Sequence, residues 1–530
     1  MSVDGVIVRS APLGGSALSQ AVQRGDVGEA WYSQRPTSPE AWRAHALQVR
    51  ASLEGNDWLT TLGPAFGATG AAADRLAQAS ARGVVVTTGQ QPGLFGGPTY
   101  TWTKALSALS LADELSAAID MPVAPVFWAA SDDADWMEAA VTHVVTSRGL
   151  QTLSLAGEPT EGIAMADVPL GDLTAARVAL AAACGSAAQA NVLNAVDAAY
   201  VPHATVGAAY VQLLRSLLEP LGIAVLDAAH PAFRAASDHF LRHALTAAAS
   251  VSEALSARTR TIEAAGYAPQ VDVIDGLSLV FHTNVVSKGD GVQRTRVRVP
   301  VLEAAIVARQ ADMGSLGANV LLRPVLERSL LPTLTYLAGP GELAYFAQVA
   351  PIASALGAPA PVVSPRWAAD VLDGDAYRAL DQLGLSEAIL RDPHAAEQRV
   401  AQRLLDDGLS DTIERLRGAI DAQLRVLRDT VDGAGAPVSH AVIAGLSRDL
   451  THRIERFEHR VLGGVKRNEV DAMRELAYVR ASLRPLGKPP ERVLNLVPYL
   501  ARFGVGVLGL LREASLPHAQ MLVHGTRVDS

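Results

Sequence analysis

Two glycine-rich turns and one acidic loop hold the residue types from which this sequence could build a reactive site. The first turn is Gly89-Gln-Gln-Pro-Gly-Leu-Phe-Gly-Gly-Pro98. Glycines at 89, 93, 96 and 97 let backbone N–H groups approach a ligand closely, and a helix start just beyond them favours an anion. Gln90 and Gln91 add neutral donors, and Lys104 lies farther along the expected helix. The plainer reading is a tight turn followed by a solvated lysine. The turn fits neither the P-loop nor the dinucleotide fingerprint.

The acidic loop is Ser131-Asp-Asp-Ala-Asp135. Ser131, Asp132, Asp133 and Asp135 could hold an amine or Mg²⁺, or supply a general base, against the alternative of a solvated loop. The second turn, Gly339-Pro-Gly-Glu342, is followed by Tyr345 and Gln348, which puts three polar side chains near one face of a helix start. Gly339 and Gly341 again allow close approach. Arg323 and Arg366 flank this stretch and have the fork to clamp a carboxylate bidentately, although either arginine could equally be a structural ion-pair partner. Other chemistries lack support. His239 and His243 sit at i, i+4, but Phe240 stands where H-E-x-x-H needs Glu, no G-x-S-x-G elbow occurs, and the H-x-G-H signature of class I aminoacyl-tRNA synthetases is absent.

Elements of an α/β fold must position these groups. Gly83-Val-Val-Val-Thr-Thr88 reads as a buried strand feeding the first turn, and a helix is expected from Thr99 to about Ala118, with Pro98 as its first residue. Val123–Ala130 reads as a second strand ending in the acidic loop, so strand, helix and strand form one βαβ unit. The acidic loop therefore lies beyond the carboxyl end of a strand, where open α/β sheets place ligands. Leu334–Ala338 runs into the second glycine turn, and Ile223–Asp227, Leu277–His282 and Pro359–Val363 are further candidate strands. The block to about residue 390 reads as a doubly wound core with insertions, preceded by a mostly helical segment in which Ser38 caps a helix carrying Trp42.

From about residue 395 the pattern changes. Leu409, Ile413, Leu416, Ile420, Leu424, Leu427 and Val431 step by three or four, and Leu446, Leu450, Ile454, Phe457 and Val461 resume the stepping after a break at Gly433-Ala-Gly-Ala-Pro437. This predicts an antiparallel coiled-coil hairpin, a scaffold or dimer arm, over 391–487. Residues 488–530 are expected to pack back on the 1–390 core.

The 530 residues, 49% hydrophobic and 19% charged, suffice for a large core and set a length expectation of about three or four domains. A formal charge of -9 without any basic run argues against nucleic-acid binding. The lone Cys184 excludes an internal disulfide or thiolate zinc cluster and suits a reducing compartment. The opening residues do not read as a signal peptide, and Phe503–Leu511 is too short to span a bilayer of about 30 Å. A cytoplasmic protein with no membrane partner is expected.

Together these stretches resemble the bacillithiol biosynthesis cysteine-adding enzyme family, BshC. The resemblance rests on Thr88–Pro98 with Tyr100 and Lys104, on Pro125-Val-Phe-Trp128 leading to Ser131, and on Gly266-Tyr267 with Pro269-Gln270. It continues through Asn319-Val-Leu-Leu-Arg-Pro324, Leu331-Pro-Thr333, Gly339–Tyr345 with Ala347-Gln348, Pro365-Arg366, Glu491-Arg492 and Leu494-Asn495. It implies a Rossmann-like core with connecting-peptide insertions and a coiled coil that pairs two subunits. The implied reaction joins the carboxyl group of cysteine to the amine of glucosaminyl-malate. Amide formation from a free carboxylate needs activation, for which ATP with Mg²⁺ is the natural candidate. No tightly bound cofactor or metal site is evident. On this resemblance Gly93, Gly96, Gly97 and the helix start hold an anionic group, Asp133 or Asp135 orients or deprotonates the amine, Arg323 or Arg366 holds malate, and Tyr100 joins the site. The sequence departs from the family where its acidic loop commonly reads Ser-Glu-Asp-His-Asp, since Ala134 stands at the histidine position, and Pro490 replaces a frequent Gln. A ligase or transferase acting on another amine acceptor, and a non-catalytic metabolite-binding pathway partner, stand as competing readings.

Overall fold

The computed structural model describes residues 2–3, 5–157, 159, 161–185, 189–288, 291–431 and 437–525. They divide into two compact units, one of 1–144, 152–371 and 491–530, the other of 145–151 and 372–490, where length alone suggested three or four domains.

The first unit is built on a parallel sheet. Strand β1 (Val84–Gln90) passes through the glycine turn into helix α1 (Thr99–Ile119), which returns to β2 (Val123–Ala129). β3 (Ala224–Asp227) precedes helix α2 (Pro231–Thr246). A hairpin of β4 (Leu277–Lys288) and β5 (Gly291–Pro300) follows, then the short β6 (Leu316–Ala318). Helix α3 (Arg323–Leu330) leads into β7 (Thr333–Ala338), α4 (Pro340–Ala355) and β8 (Val363–Pro365).

The five parallel strands lie in the order β8-β7-β1-β2-β3. The chain winds outward from β1 through β2 to β3, then restarts on the other side with β7 and β8. The carboxyl ends of β1 and β7 are thus the point where the winding reverses, and a crevice opens there. β2 and β7 are buried along their whole length, and β1 up to Gln90. This is why their apolar runs do not alternate: helices cover both faces of a parallel sheet. α1 is buried on almost every side, since helix Gly506–His524 packs along it and Ser110 Oγ meets Ser515 Oγ at 2.7 Å.

Three expectations change in detail. Pro98 is the N-cap of α1 rather than its first residue. The expected strand at Pro359–Val363 begins at Val363. The strand expected at Leu277–His282 is longer and belongs to a separate antiparallel sheet of order β6-β4-β5, because its charged partner β5 cannot be buried on two faces. Ser38 does cap helix Pro39–Ala51, its hydroxyl accepting from Ala41 N.

In the second unit the heptad stepping yields α5 (Asp407–Thr430) and α6 (His440–Asn468). Positions 433–436 of the expected break lie outside the described residues. Arg417 pairs with Glu458 at 2.6 Å, and Lys466 with Glu397 at 2.9 Å, the opposed numbering of an antiparallel arrangement. Ile413, Leu424, Ile443 and Ile454 are buried between the helices, whereas Leu416, Leu446 and Phe457 remain 49%, 43% and 48% exposed. Among the described residues no helix is long and apolar enough to cross a membrane.

Gly96 tests the first turn. It sits at φ +86°, and a Cβ there would lie 2.6 Å from Trp102 Cζ2. Gly96→Ala combines left-handed strain with a clash against a buried ring, so it is expected to destabilise the first unit by about 2 kcal/mol or more. Calorimetric melting should show the drop.

Candidate active site

A cavity of about 810 Å³ opens at the carboxyl ends of β1, β2 and β7, the size of a small-molecule site. Its floor is a buried ion pair. Lys104, on the second turn of α1, places Nζ 2.7 Å from Glu342 Oε2, 2.7 Å from the Gly89 carbonyl and 2.9 Å from Gln90 Oε1. Three acceptors thus take the three donors of an ammonium. Glu342, in the first turn of α4, also accepts from Gly339 N at 2.6 Å and from the Tyr336 hydroxyl at 2.6 Å. Burial alone would raise the Glu342 carboxyl, but Lys104 with these donors holds it below the ordinary range. Lys104 is therefore no solvated charge: it ties the end of β1 to the start of α4. Gly89 must be glycine for this, because a Cβ would sit 2.7 Å from the Trp128 carbonyl oxygen on the adjacent strand.

The acidic loop forms one wall. Asp133 lines the cavity, and burial, followed by the neighbouring Asp132 charge, pushes its carboxyl up, only partly offset by Arg296. Beside it Glu138, from the short helix Trp136–Ala139, accepts from the Tyr100 hydroxyl at 2.8 Å and from Gln90 Nε2 at 3.3 Å. Burial raises Glu138 as well, against the Tyr100 hydrogen bond. Two desolvated carboxyls thus face one cavity, an arrangement suited to proton transfer.

The lining also carries cations, one of which contacts the acidic loop. Arg296 and Arg298 are separated by one residue on β5, so they share a face, and they lie 4.6 and 5.6 Å from the Phe281 ring centroid. Arg296 donates to the Asp132 carbonyl oxygen, while Arg298 Nε has no hydrogen-bond partner among the described residues. Arg323, opening α3, donates to Tyr345 at 3.1 Å and Tyr336 at 3.4 Å, and its Nε too is unpaired. Arg492 and Asn319 complete the lining.

The structure therefore brings Gly89, Gln90, Gln91, Tyr100 and Lys104 to one cavity with Asp132 and Asp133. Arg323, Gly339, Gly341, Glu342 and Tyr345 line it too. Other expectations are corrected. Gly93, Gly96 and Gly97 do not cradle an anion. Gly96 N donates to Gly93 O and Gly97 N to Leu94 O, and Asn495 Nδ2 donates to the carbonyls of Leu94, Phe95 and Gly97. The α1 start is closed as well, since Thr99 N and Oγ1 both donate to Leu494 O at 2.8 Å. Asp135 caps the short helix through Glu138 N at 3.1 Å, and Ser131 is buried, its hydroxyl donating to Asp227. Gln348 is fully buried and brackets Val271, accepting from its N–H and donating to its carbonyl. Arg366 reaches the wall, but Glu491 takes its fork at 2.8 and 3.1 Å, so no bidentate face remains for a substrate carboxylate.

Glu138, Arg296, Arg298 and Phe281 are site residues that motif reading missed. The alternation Arg294-Thr-Arg-Val-Arg298 was the available signal, because period two puts all three arginines on one strand face. Among the described residues no cluster of three or more His, Cys, Asp or Glu side chains could hold a metal ion.

Two family models cover almost the whole chain. Residues 22–367 match "Bacillithiol biosynthesis BshC, N-terminal Rossmann-like domain", and 369–523 match the C-terminal coiled-coil domain of the same family. The chain belongs to the BshC family. Among its relatives, a Solibacter usitatus protein is 31% identical over 434 residues, covering 80% of each chain, and one from Heliobacterium modesticaldum is 31% identical over 484 residues, covering 84% of each. A Desulforamulus reducens protein is 26% identical over 449 residues, with 81% of each chain covered. All three carry the name "Putative cysteine ligase BshC". Membership makes this chain an enzyme of the ligase class, with the Rossmann-like core and coiled coil expected of the family.

A buried carboxyl supplies a pH test of the frame behind Arg323. Glu327 is 1% exposed, accepts from Thr87, and is pushed up to about 7 mainly by burial. A raised carboxyl favours the fold below its unfolded value near 4.3, and that contribution is lost as pH rises through about 7. Glu327→Gln is expected to gain on the wild type between pH 5 and pH 8, by up to about 3 kcal/mol, in denaturant titrations.

Proposed function

We propose that this enzyme joins the carboxyl group of L-cysteine to the amine of glucosaminyl-malate, the last step of bacillithiol biosynthesis, in the cytoplasm. Family membership and the names of the relatives support the reaction. The observation that carries it is the polarity of the cavity: desolvated carboxyls of Asp133 and Glu138 face Arg298, Arg323 and Arg492. An amine nucleophile needs a base, and the malate carboxylates need cations.

Asp133 is the base in this reading. Its carboxyl is held up by burial, closer to the working pH than an ordinary aspartate, which favours accepting a proton from the amine as it attacks. Arg298 and Arg492 receive the malate carboxylates, since Arg366 is engaged by Glu491. Arg323 is left for the carboxylate of cysteine. ATP with Mg²⁺ would supply the activation of that carboxylate, and the volume and cations of the cavity are compatible with a nucleotide. As the amine attacks the activated carbonyl, its proton passes to Asp133 and the activating group departs. The exposed seam residues Leu416, Leu446 and Phe457 favour a homodimer through the hairpin.

Mass spectrometry of the protein incubated with cysteine, glucosaminyl-malate, ATP and Mg²⁺ should detect bacillithiol above a no-enzyme control. Absence of product, with a bacillithiol-making extract as positive control, would overturn the reading. Asp133→Asn is expected to lower kcat by about 10²-fold or more. It should leave Tm unchanged or raised, because it removes a carboxylate whose ionisation the fold disfavours. The acid limb of the wild-type kcat/KM profile should lie above the usual aspartate range. Asp135→Ala, by contrast, should cost about 1 kcal/mol of stability as a lost cap and spare most activity. Leu416→Asp combined with Phe457→Asp should halve the mass seen by light scattering, whereas an unchanged mass would rule out the hairpin as the dimer contact.

A further inference from the structure

Behind the acidic wall a second, smaller pocket of about 40 Å³ adjoins the main cavity, and the two share Asp132, Arg296, Ala318 and Arg323 as lining residues. Its lining is mixed, with Arg234, Ser237 and Thr283 beside aromatic and leucine side chains. Trp128, at the end of β2, meets Phe233 of α2 edge to face, with ring centroids 4.8 Å apart and planes at 82°. Leu241, Leu316 and Leu326, all of them buried, supply the rest of its apolar lining. One polar atom in this wall is unexplained. Trp128 is 2% exposed, yet among the described residues its Nε1 has no hydrogen-bond partner. A buried indole N–H normally finds an acceptor, and leaving it without one is costly. At the shared edge, which Asp132 also lines, Arg323 Nε is unpaired as well.

We infer that this pocket selects the amino-acid substrate by its side chain. The inference rests on the ligase reading and adds the feature that sets specificity. Asp132 and Arg323 at the shared edge offer the two charges that an α-amino acid complements, with its ammonium towards the carboxylate and its carboxylate towards the guanidinium. That orientation leaves the carboxylate on the main-cavity side and directs the side chain into the pocket. Allowing roughly 10–15 Å³ for each water-sized group, the pocket holds about three such groups. A methylene with one thiol fits, and a leucine or methionine side chain does not. Ser237 and Thr283 give the wall hydroxyl groups, so its polarity does not separate cysteine from serine, and the selection is by size.

Calorimetric titration of the full chain, with ATP and Mg²⁺ present, tests this using L-cysteine, L-2-aminobutyrate, L-serine and L-methionine. The wild type should bind cysteine, serine and 2-aminobutyrate within about tenfold of each other, and methionine at least tenfold more weakly, in line with the roughly 10–200-fold that one methylene costs in a fitted pocket. Phe233→Leu enlarges the pocket and should improve methionine relative to cysteine tenfold or more. Trp128→Phe replaces the indole by a smaller ring, enlarges the pocket from the other side, and should likewise improve methionine relative to cysteine. Melting temperatures confirm that both variants fold. Methionine binding as tightly as cysteine in the wild type, no cysteine binding, or preferences unaltered in both folded variants would each overturn the inference. The two readings separate cleanly. Product formation with unaltered preferences rejects the pocket and keeps the ligase, whereas selective cysteine binding without product from glucosaminyl-malate keeps the pocket and rejects that acceptor.

Discussion

The Lys104–Glu342 pair is the constraint on which the site depends. A parallel sheet whose winding reverses between β1 and β7 leaves two loops beyond neighbouring strands whose paired register runs only to Thr87 and Tyr336, so the loops past it need another tie. The pair supplies it. Lys104 fastens the Gly89 carbonyl and the Gln90 side chain, while across the crevice Glu342 fastens the Gly339 amide and the Tyr336 hydroxyl. Taking both charges from water is costly, so the pair is stable only because almost every donor and acceptor is used. Gln90, held by Lys104, then reaches Tyr100 and Glu138, so the same contact orients one end of the acidic wall.

A second buried pair does similar work from the far end of the chain. Glu491 takes the fork of Arg366 and also accepts from Ala369 N, and four residues later Asn495 closes the glycine turn after β1. The C-terminal segment is therefore part of the frame of the crevice rather than a cover added to a finished core. Arg492, between these two anchors, reaches the cavity as a consequence of where they hold the backbone.

The parallel core is legible in the sequence because burial on both faces writes an unbroken β-branched run, as in Val84-Val-Val86, and few other structures do so. The glycine turn misleads for the opposite reason. Closely spaced glycines permit an anion cradle and a self-closed turn equally, and what decides between them is Asn495, some 400 positions away. Arg366 misleads in the same manner: its type allows a carboxylate clamp, but Glu491 occupies it. The arginines of β5 are hidden differently. Their alternation is plain, yet nothing local says that a separate antiparallel sheet turns that face towards the end of a parallel one.

Asp133 and Asp135 show how far residue type alone underdetermines a role. They lie two positions apart in one acidic loop, and either could serve as a base on paper. The helix Trp136–Ala139 separates them. Its first turn needs a cap, Asp135 stands at the N-cap position, and its carboxylate is committed to Glu138 N. Asp133, two positions earlier, is left facing the cavity and loses its water. Ala134 between them reinforces the difference, because an imidazolium at that position would add a positive charge beside Asp133 and draw its carboxyl down. With alanine there, Arg296 is the cation that opposes desolvation, and burial prevails. In the proposed reading, acid–base duty in this loop falls to the Asp133 carboxylate.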